Sequence, residues 1–316
     1  MNKLRIVFCG TPEFAVPSLK QLLSSNSFDV LAVVTQPDRP RGRGQEVSFS
    51  PVKETALAAG LPVHQPAKIR APEFESLLRG LAPDAIVIIA YGQIIPARML
   101  DISRLGWINV HASLLPKYRG AAPIAWAIAN GETRTGVTTM RIDAGMDTGD
   151  MLLRQELPIG PDEAAPELAT RLAATGVVLL VETLKRFDDG TLAPQPQNHQ
   201  EGTLAPLLKR EDGRILWSRT AQEIYNRMRG FAPWPGAYTT FRGQTCHLWG
   251  KPESKGKEGA AKPGTLRLAG EDLYVACGGE TWLRLERVKL EGRKETSAAE
   301  FARGARISSD ERFGAE

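Results

Sequence analysis

The sequence predicts an α/β protein in which a Rossmann-like, doubly wound, mostly parallel sheet is followed by a small OB-like β-barrel domain. Over residues 1–187, short apolar runs alternate with segments of helical periodicity, a pattern typical of a parallel sheet covered by helices. Beyond residue 206, one helix is followed by short β-rich runs separated by glycines, which is typical of a small barrel. The length of 316 residues suffices for two domains of about 150 residues each.

The chain opens with a βα unit, in which the β-rich run Leu4–Cys9 is followed by a helical pattern over Phe14–Leu23. Between them, Thr11-Pro12-Glu13 predicts a helix N-cap at Thr11 with proline in the first turn. The next elements alternate in the same way. They are strands at Phe28–Thr35, Ala85–Ala90, Gly106–Val110, Val137–Ile142 and Met151–Leu157, and helices at Val52–Ala59, Ala71–Leu81, Ile124–Asn130 and Pro161–Phe187.

A segment with little apolar periodicity separates the two patterns. Residues 188–206 begin with Asp188-Asp189-Gly190 and contain three prolines, and we interpret them as a linker. We therefore expect one domain over residues 1–187 and a second over residues 207–316. The second domain is predicted to contain a helix at Ala221–Met228 and strands at Ala237–Phe241, Thr245–Trp249, Thr265–Leu268, Leu273–Cys277 and Thr281–Leu290.

Composition excludes several classes of protein. A hydrophobic content of 42% and a charged content of 24% are ordinary for a folded soluble protein. The most apolar run, at Ala85–Ala90, is too short to span a bilayer, and the N-terminus has no secretory signal, so we expect a cytoplasmic protein. Three cysteines at unrelated spacings fit neither a disulfide framework nor a zinc site, and we expect no metal.

The excess of positive charge lies in the C-terminal part of the chain. Residues 1–200 contain 20 basic and 20 acidic side chains, whereas residues 201–316 contain 20 basic and 16 acidic ones. Between Leu204 and Gly270 there are 12 basic and 5 acidic side chains. On charge alone, a surface that binds a polyanion and an ordinary solvated surface explain this region equally well.

The usual nucleotide-binding and nucleophile motifs are missing. The turn Cys9–Glu13 lacks the glycine spacing that holds a pyrophosphate, and Gly42-Arg43-Gly44 does not open a helix, so an NAD site is not expected. Ser113 lacks the Gly-x-Ser-x-Gly context of a nucleophile. Cys9 ends a buried strand and is interpreted as a small core residue.

Polar residues at the end of one strand are the main candidates for chemistry. In Trp107–His111, alternation places Asn109 and His111 on the same face, at the edge where α/β sheets bind ligands. A lone histidine at such a place is more often structural. A functional role for His111 is favoured by its neighbours in the sequence. The polar segment Ser113–Gly120 follows it, and a second polar cluster, Asp143–Asp150, lies between two strands. The acidic spacing in that cluster does not fit a calcium loop.

These motifs resemble the folate-dependent formyltransferases, and in particular the members that act on methionyl-tRNA. The residues that carry the resemblance are Phe8–Phe14, Thr35–Pro40 with Gly42-Arg43-Gly44, Asn109-x-His111, Ser113–Pro116, Arg119–Ile124, Asp143–Asp150 and Phe231–Ala237. The resemblance covers nearly the whole chain. It implies a formyltransferase fold over residues 1–187, an OB-like tRNA-binding domain over residues 207–316, and transfer of a formyl group from 10-formyltetrahydrofolate to the methionine amine of initiator tRNA. From the sequence itself we expect a monomer, because nothing in it demands a larger assembly.

The resemblance also implies roles for individual residues. Asn109, His111 and Asp147 are expected to be catalytic, with Asn109 and a protonated His111 donating to the developing oxyanion and Asp147 accepting a proton. The folate is expected to contact seven residues, namely Tyr91, Gly92, Ser113, Leu114, Leu115, Pro116 and Ile142. The tRNA is expected to contact Arg41 and Arg43 in the long loop Gln36–Ser50, together with Lys209 and Arg210 in the basic region.

Two other kinds of function remain open from the sequence. Formyltetrahydrofolate hydrolysis and sugar-nucleotide formylation would use the same three residues, although the chain has no regulatory domain before its first strand and no dehydrogenase half after its barrel. A catalytically idle RNA-binding protein is the alternative from another class. The complete set of Asn109, His111 and Asp147 argues against it.

Overall fold

The computed structural model describes residues 3–41, 46–253, 261–308 and 311–314. The chain divides into two compact units. The first contains Met1–Pro123, Arg134–Pro158 and Glu167–Leu207, and the second contains Ile124–Thr133, Ile159–Pro166 and Leu208–Glu316. Within the described ranges, every helix is too short or too polar to cross a membrane.

The first unit is built on a seven-stranded sheet. Its chain contains the strands β1 (Leu4–Gly10), β2 (Phe28–Val34), β3 (Arg39–Arg41), β4 (Glu46–Ser48), β5 (Val63–His64), β6 (Ala85–Ile89), β7 (Trp107–His111), β8 (Arg134–Arg141) and β9 (Met151–Pro158). The sheet has the order β5-β2-β1-β6-β7-β8-β9, and β3 pairs with β4 in a separate two-stranded sheet. Pairing is parallel from β5 to β7 and antiparallel at β8 and β9. The prediction of a mostly parallel sheet is confirmed.

Helices cover this sheet because its central strands are apolar on both faces. The helices of the first unit are α1 (Val16–Ser24), α2 (Pro51–Ala58), α3 (Pro72–Leu81) and most of α5 (Ala165–Asp188), whereas α4 (Pro123–Ala129) lies in the second unit from Ile124 onward. All five residues of β6 are buried, as expected for a strand that is covered on both sides. Phe74 and Leu78 of α3 pack in one core with Ile86 and Ile88 of β6. On α5, Gly176 allows a close approach, because an added Cβ would lie 3.0 Å from Cγ1 of Val110.

The second unit contains an antiparallel sheet with the pairing order β10-β11-β14-β13-β12. Its strands are β10 (Tyr238–Phe241), β11 (Gln244–Glu253), β12 (Leu266–Ala269), β13 (Asp272–Ala276), β14 (Trp282–Leu290) and β15 (Thr296–Ser297), with helices α6 (Ala221–Gly230) and α7 (Ala298–Ala305). Inward-facing residues of the strands and of both helices form one core that includes Met228, Leu248 and Phe301. The predicted fold class, a Rossmann-like sheet followed by a small antiparallel β domain, is confirmed.

Two local predictions are wrong. Thr11 is not an N-cap, since a 3₁₀ turn at Glu13–Ala15 precedes α1 and has no side-chain cap. The Thr11 hydroxyl instead accepts a hydrogen bond from the backbone N–H of Gln36 at 3.3 Å, which ties the ends of β1 and β2 together. The long helix begins at Ala165 and not at Pro161, because the preceding turn is closed by the Glu163 carboxylate, which accepts from the N–H of Gly160.

Candidate active site

Asn109 and His111 point to the same side of β7. His111 is buried, with 5% of its surface exposed, and Asn109 is half-buried. Both side chains approach Asp147, whereas Val110 between them faces α5 at Gly176. The alternation of the strand places Asn109 and His111 on one face. The loop after β8 then brings Asp147 to them, so the three residues that were predicted to act together lie side by side.

Asp147 is held by contacts on both of its carboxylate oxygens. Oδ1 accepts from Nδ2 of Asn109 at 3.3 Å, and Oδ2 accepts from the backbone N–H of Gly120 at 2.8 Å. Its backbone has φ of +54°, a left-handed conformation that Asp tolerates better than most residues. The loop after β8 is thus turned so that the carboxylate points back at β7.

The two ring nitrogens of His111 have different partners. Nε2 lies 2.9 Å from the carbonyl oxygen of Tyr118, and because a carbonyl can only accept, Nε2 carries a proton and donates it there. Nδ1 lies 3.7 Å from Oδ2 of Asp147, which is too long for a hydrogen bond. Of the two approaches, to Tyr118 and to Asp147, the one through Nε2 is therefore the hydrogen bond.

Gly120 is required at its position for two reasons. Its φ of +117° lies in a region that other residues avoid, and an added Cβ would lie 2.8 Å from the carbonyl oxygen of Ala205. This close approach lets the N–H of Gly120 reach Asp147.

A crevice of about 420 Å³ opens at the carboxyl ends of β1, β2 and β6. Tyr91 and Gly92, two of the predicted folate contacts, are among the residues that line it. Asp38 also lines it, and the hydrogen bond from Lys53 lowers the pKa of that carboxyl below its usual value. Volume and lining suit a small polar organic group. The side chain of Tyr91 is buried in the core. Its backbone carbonyl accepts a hydrogen bond from Nε2 of Gln36 at 2.9 Å.

The remaining predicted folate contacts lie near β7 and β8. Ser113 is fully buried and its hydroxyl donates to the carbonyl of Lys117 at 2.6 Å, so it is not a free nucleophile. Leu115 is also buried, and its N–H donates to the Thr138 hydroxyl at 3.2 Å. Three further residues are half-buried: Leu114, Pro116 and Ile142.

The predicted tRNA contacts are placed only in part. Lys209 and Arg210 of the second unit are exposed, at the start of a short 3₁₀ turn. The backbone N–H of Lys209 donates to the Asp212 carboxylate at 2.7 Å. Arg41 contributes its backbone to β3, but its side chain and the whole of Arg43 lie outside the described residues.

Two buried side chains lie beside the site, Arg119 and Gln197. Sequence reasoning gave Arg119 no role of its own within the motif Arg119–Ile124, and it missed Gln197 altogether. Gln197 donates to the backbone carbonyls of Asp147 and Gly149, and its own amide oxygen accepts from Arg119. It lies in the segment that was interpreted as a linker, which belongs to the first unit. The only sequence signal was its place in Pro194-Gln195-Pro196-Gln197, which has no helical or strand periodicity.

All three cysteines are buried and free. Burial raises the pKa of Cys246 and of Cys277 to about 12 and raises that of Cys9 further above its usual value. None is therefore a thiolate near neutral pH, and a covalent intermediate on cysteine is not supported.

Comparison with known protein families gives matches in both parts of the chain. Residues 3–184 match the model described as formyl transferase, and residues 207–306 match that of the formyl transferase C-terminal domain. A methionyl-tRNA formyltransferase of Koribacter versatilis is 56% identical over 310 residues, which is 98% of each chain. One from Geobacter metallireducens is 50% identical over 315 residues, which is 99% of this chain and 100% of that one.

Solved structures with a similar fold are more distant in sequence. An N-formyltransferase from Helicobacter canadensis, in complex with folinic acid and dTDP-3-aminofucose, aligns with a TM-score of 0.65 at 20% identity, covering 90% of this chain and 98% of that one. HypX from Aquifex aeolicus, in complex with tetrahydrofolic acid, aligns with a TM-score of 0.61 at 19% identity, covering 95% of this chain and 47% of that one. At these identities the likeness concerns the fold.

Proposed function

The chain belongs to the formyl transferase family, and on that premise we propose that it transfers the formyl group of 10-formyltetrahydrofolate to the free amino group of methionyl-tRNA. The observation that carries the proposal is the identity of 56% with a methionyl-tRNA formyltransferase over 98% of both chains. The cluster of Asn109, His111 and Asp147 supplies groups of the kind that this chemistry needs. Initiator tRNA is the proposed acceptor, and translation initiation the proposed role.

Two of the three residues are proposed to stabilise the developing oxyanion. Attack of the amine on the formyl carbon places negative charge on the formyl oxygen. Nδ2 of Asn109 has two N–H groups, and only one is needed for the bond to Asp147. A proton on Nδ1 of His111 is the second donor, since Nε2 is already bound to the Tyr118 carbonyl. Losing one such donor costs about 3–4 kcal/mol of transition-state stabilisation.

Asp147 is proposed to accept the proton that leaves the amine, directly or through a water. An α-amino group has a pKa of about 8, and esterification of its carboxyl lowers this further, so a weak base suffices. As the tetrahedral intermediate collapses, the electron pair of the C–N bond returns to the folate nitrogen. The proton held by Asp147 passes to that nitrogen, directly or through a water, so that folate leaves as a neutral amine and Asp147 is a carboxylate again. The formyl group passes directly to the amine, because Ser113 is buried and hydrogen-bonded and the cysteines are protonated.

The folate is proposed to bind near the ends of β6, β7 and β8. Gly92 is exposed beside the crevice, and the half-buried side chains of Leu114, Pro116 and Ile142 are the candidates for apolar contact. For Tyr91, Ser113 and Leu115, whose side chains are buried, the proposal is limited to shaping the site.

The tRNA is proposed to need both parts of the chain. We assign residues 1–187 to catalysis and 207–316 to tRNA binding, in a cytoplasmic monomer. Residues 188–206, which we predicted to be a linker, lead from one to the other and belong to the first unit. Lys209 and Arg210 are exposed and suited to phosphate contacts. In the long loop, Arg43→Ala is expected to reduce transfer to tRNA with little change in folate binding.

The proposal is tested with purified protein, labelled 10-formyltetrahydrofolate and charged tRNA. We expect labelled formyl-methionine on initiator methionyl-tRNA, a much lower rate on elongator methionyl-tRNA, and none on deacylated tRNA. Release of formate to water at the same rate without tRNA would instead identify a hydrolase. Formylation of a nucleotide-linked amino sugar in preference to tRNA would identify the sugar-modifying activity, and binding of tRNA without transfer would identify an RNA-binding protein.

A further inference from the structure

We propose that Gln197 is a positioning residue that sets the place of Asp147, and that Arg119 in turn orients Gln197. This rests on the proposed function for its meaning in catalysis. Gln197 is 5% exposed and Arg119 is 8% exposed, and both lie in the first unit with Asp147. Neither side chain has a role in the mechanism described above.

The amide of Gln197 is fully used in hydrogen bonds. Its Nε2 donates to the carbonyl of Asp147 at 2.9 Å and to that of Gly149 at 2.7 Å. Its Oε1 accepts from Nε of Arg119 at 3.1 Å and from Nη2 of Arg119 at 2.6 Å. The opposite orientation of the amide would set its oxygen against two carbonyls and its NH₂ against a guanidinium, so the contacts define a single orientation.

Few other side chains can replace this amide. The two loop carbonyls need two N–H donors, and the guanidinium needs an acceptor on the same rigid group. A carboxylate keeps the acceptor but loses both donors, and an apolar side chain of equal length loses all four bonds. A buried carbonyl without a hydrogen-bond donor raises the free energy of the folded state. The loop that contains Asp147 and Gly149 is therefore expected to shift when the N–H donors of Gln197 are removed.

The network reaches two of the three proposed catalytic residues, His111 and Asp147, through three consecutive residues. The carbonyl of Tyr118 accepts from His111, the side chain of Arg119 binds Gln197, and the N–H of Gly120 binds the Asp147 carboxylate. The backbone of this stretch is fixed to the segment that carries Gln197, since the N–H of Arg119 donates to the carbonyl of Thr203 at 2.8 Å. Movement of Gln197 therefore disturbs Asp147 from both its backbone and its carboxylate.

The backbone of Asp147 explains why such a support is needed. Asp147 has φ of +54°, and for a residue other than glycine this left-handed backbone conformation is higher in free energy than the common ones. Such a conformation persists where surrounding contacts fix it. The bonds from Gln197 hold the carbonyls on both sides of Thr148, directly at this turn.

The test compares Gln197→Glu, Gln197→Met and wild type in the full chain, with Gln195→Glu as the control. Gln195 lies two residues away, its side chain is exposed, and its backbone pairs with Met151. Gln197→Glu retains the acceptor for Arg119 and is expected to fold. We expect its kcat for methionyl-tRNA to fall by about 10- to 100-fold, with KM for both substrates within about twofold, since a small misplacement of a catalytic group has this effect. Gln195→Glu is expected to match wild type.

Backbone hydrogen exchange gives a second readout that needs no substrate. In both Gln197 variants we expect faster exchange for residues 143–150 and for the Gly120 amide, with the central strands unchanged. If wild type fails to formylate methionyl-tRNA but the exchange pattern appears, the proposed function fails and the positioning role stands. The positioning role is overturned if Gln197→Glu has wild-type kcat, if exchange at these residues is unchanged, or if exchange rises throughout the first unit, which would indicate a general loss of stability.

Discussion

The polar groups of the two units differ in how they are fixed. In the first unit, the side chains of His111 and Asp147, both proposed to be catalytic, are hydrogen-bonded to backbone groups. The backbone carbonyl of Asp147 also accepts a hydrogen bond from Gln197. In the second unit, the proposed tRNA contacts Lys209 and Arg210 have exposed side chains. Transfer of a small group depends on geometry within fractions of an ångström, whereas attraction of a phosphate backbone depends mainly on charge.

The cations of the second unit are themselves of two kinds. Arg229 is 9% exposed and donates to the carbonyls of Gly160 and Glu163, so it supports the fold. Lys251 pairs with Asp162 and Arg242 pairs with Glu311. The basic excess between Leu204 and Gly270 therefore overstates the charge that is available to a partner, and the comparison predicts separate mutational effects for the two units.

The largest effect is expected for the residues around Asp147. Asn109→Ala, His111→Ala and Asp147→Ala should each lower kcat for formyl transfer by about a hundredfold or more, because each removes an oxyanion donor or the proton acceptor. Thermal unfolding should show that the fold is retained. Wild-type turnover in His111→Ala would remove this residue from the mechanism.

A smaller effect, on binding and not on chemistry, is expected in the second unit. The double variant Lys209→Ala with Arg210→Ala should raise KM for tRNA by about tenfold at physiological salt and leave kcat nearly unchanged. The slope of log affinity against log salt should become less steep by about 2, one for each lost phosphate contact. Lys294→Ala, at an exposed cation outside the basic region, is the control. An equal rise in KM for tRNA in this variant would show that tRNA binding does not depend on where in the second unit the charge lies.

Removal of the buried cation Arg229 should lower the stability of the fold without changing tRNA binding. Arg229→Ala leaves the Gly160 and Glu163 carbonyls without this donor, so the free energy of unfolding should fall by about 1–3 kcal/mol. Urea denaturation measures this loss. The salt slope for tRNA should stay at the wild-type value, and a slope reduced by one would instead place Arg229 among the phosphate contacts.

The smallest effect on formyl transfer is expected from alkylation of the cysteines. Burial raises the pKa of Cys246 and of Cys277 to about 12, so at pH 8 both are protonated and shielded in the folded chain. Iodoacetamide should leave formyl transfer unchanged, while mass spectrometry detects alkylation only after unfolding. Rapid alkylation with loss of activity would contradict direct transfer without a cysteine.

The strands of the sheet were predictable because buried parallel strands are nearly continuous apolar runs. Val63–His64 was too short to predict as a strand, and the hairpin of β3 and β4 lies in a segment rich in proline and charge. Helix α7 was also missed, although Ser297 and Glu300 form a capping box that is visible in the sequence.

The site was predictable in part for the same reason. Alternation along β7 places Asn109 beside His111, but their proximity to Asp147 depends on a turn with positive φ that periodicity does not reveal. Gln197 contacts Asp147 across 50 positions of sequence, from a segment without regular structure. Only the folded backbone brings these groups together.

The most direct test of the account is the single-turnover rate of formyl transfer in Asp147→Asn at saturating enzyme. This change keeps the size of the side chain and an acceptor for Gly120, but it removes the negative charge and the capacity to take a proton. We predict that the transfer rate falls by about a hundredfold or more, while the dissociation constant for methionyl-tRNA changes by less than about twofold. A transfer rate within threefold of wild type would contradict the assignment of this cluster as the catalytic centre.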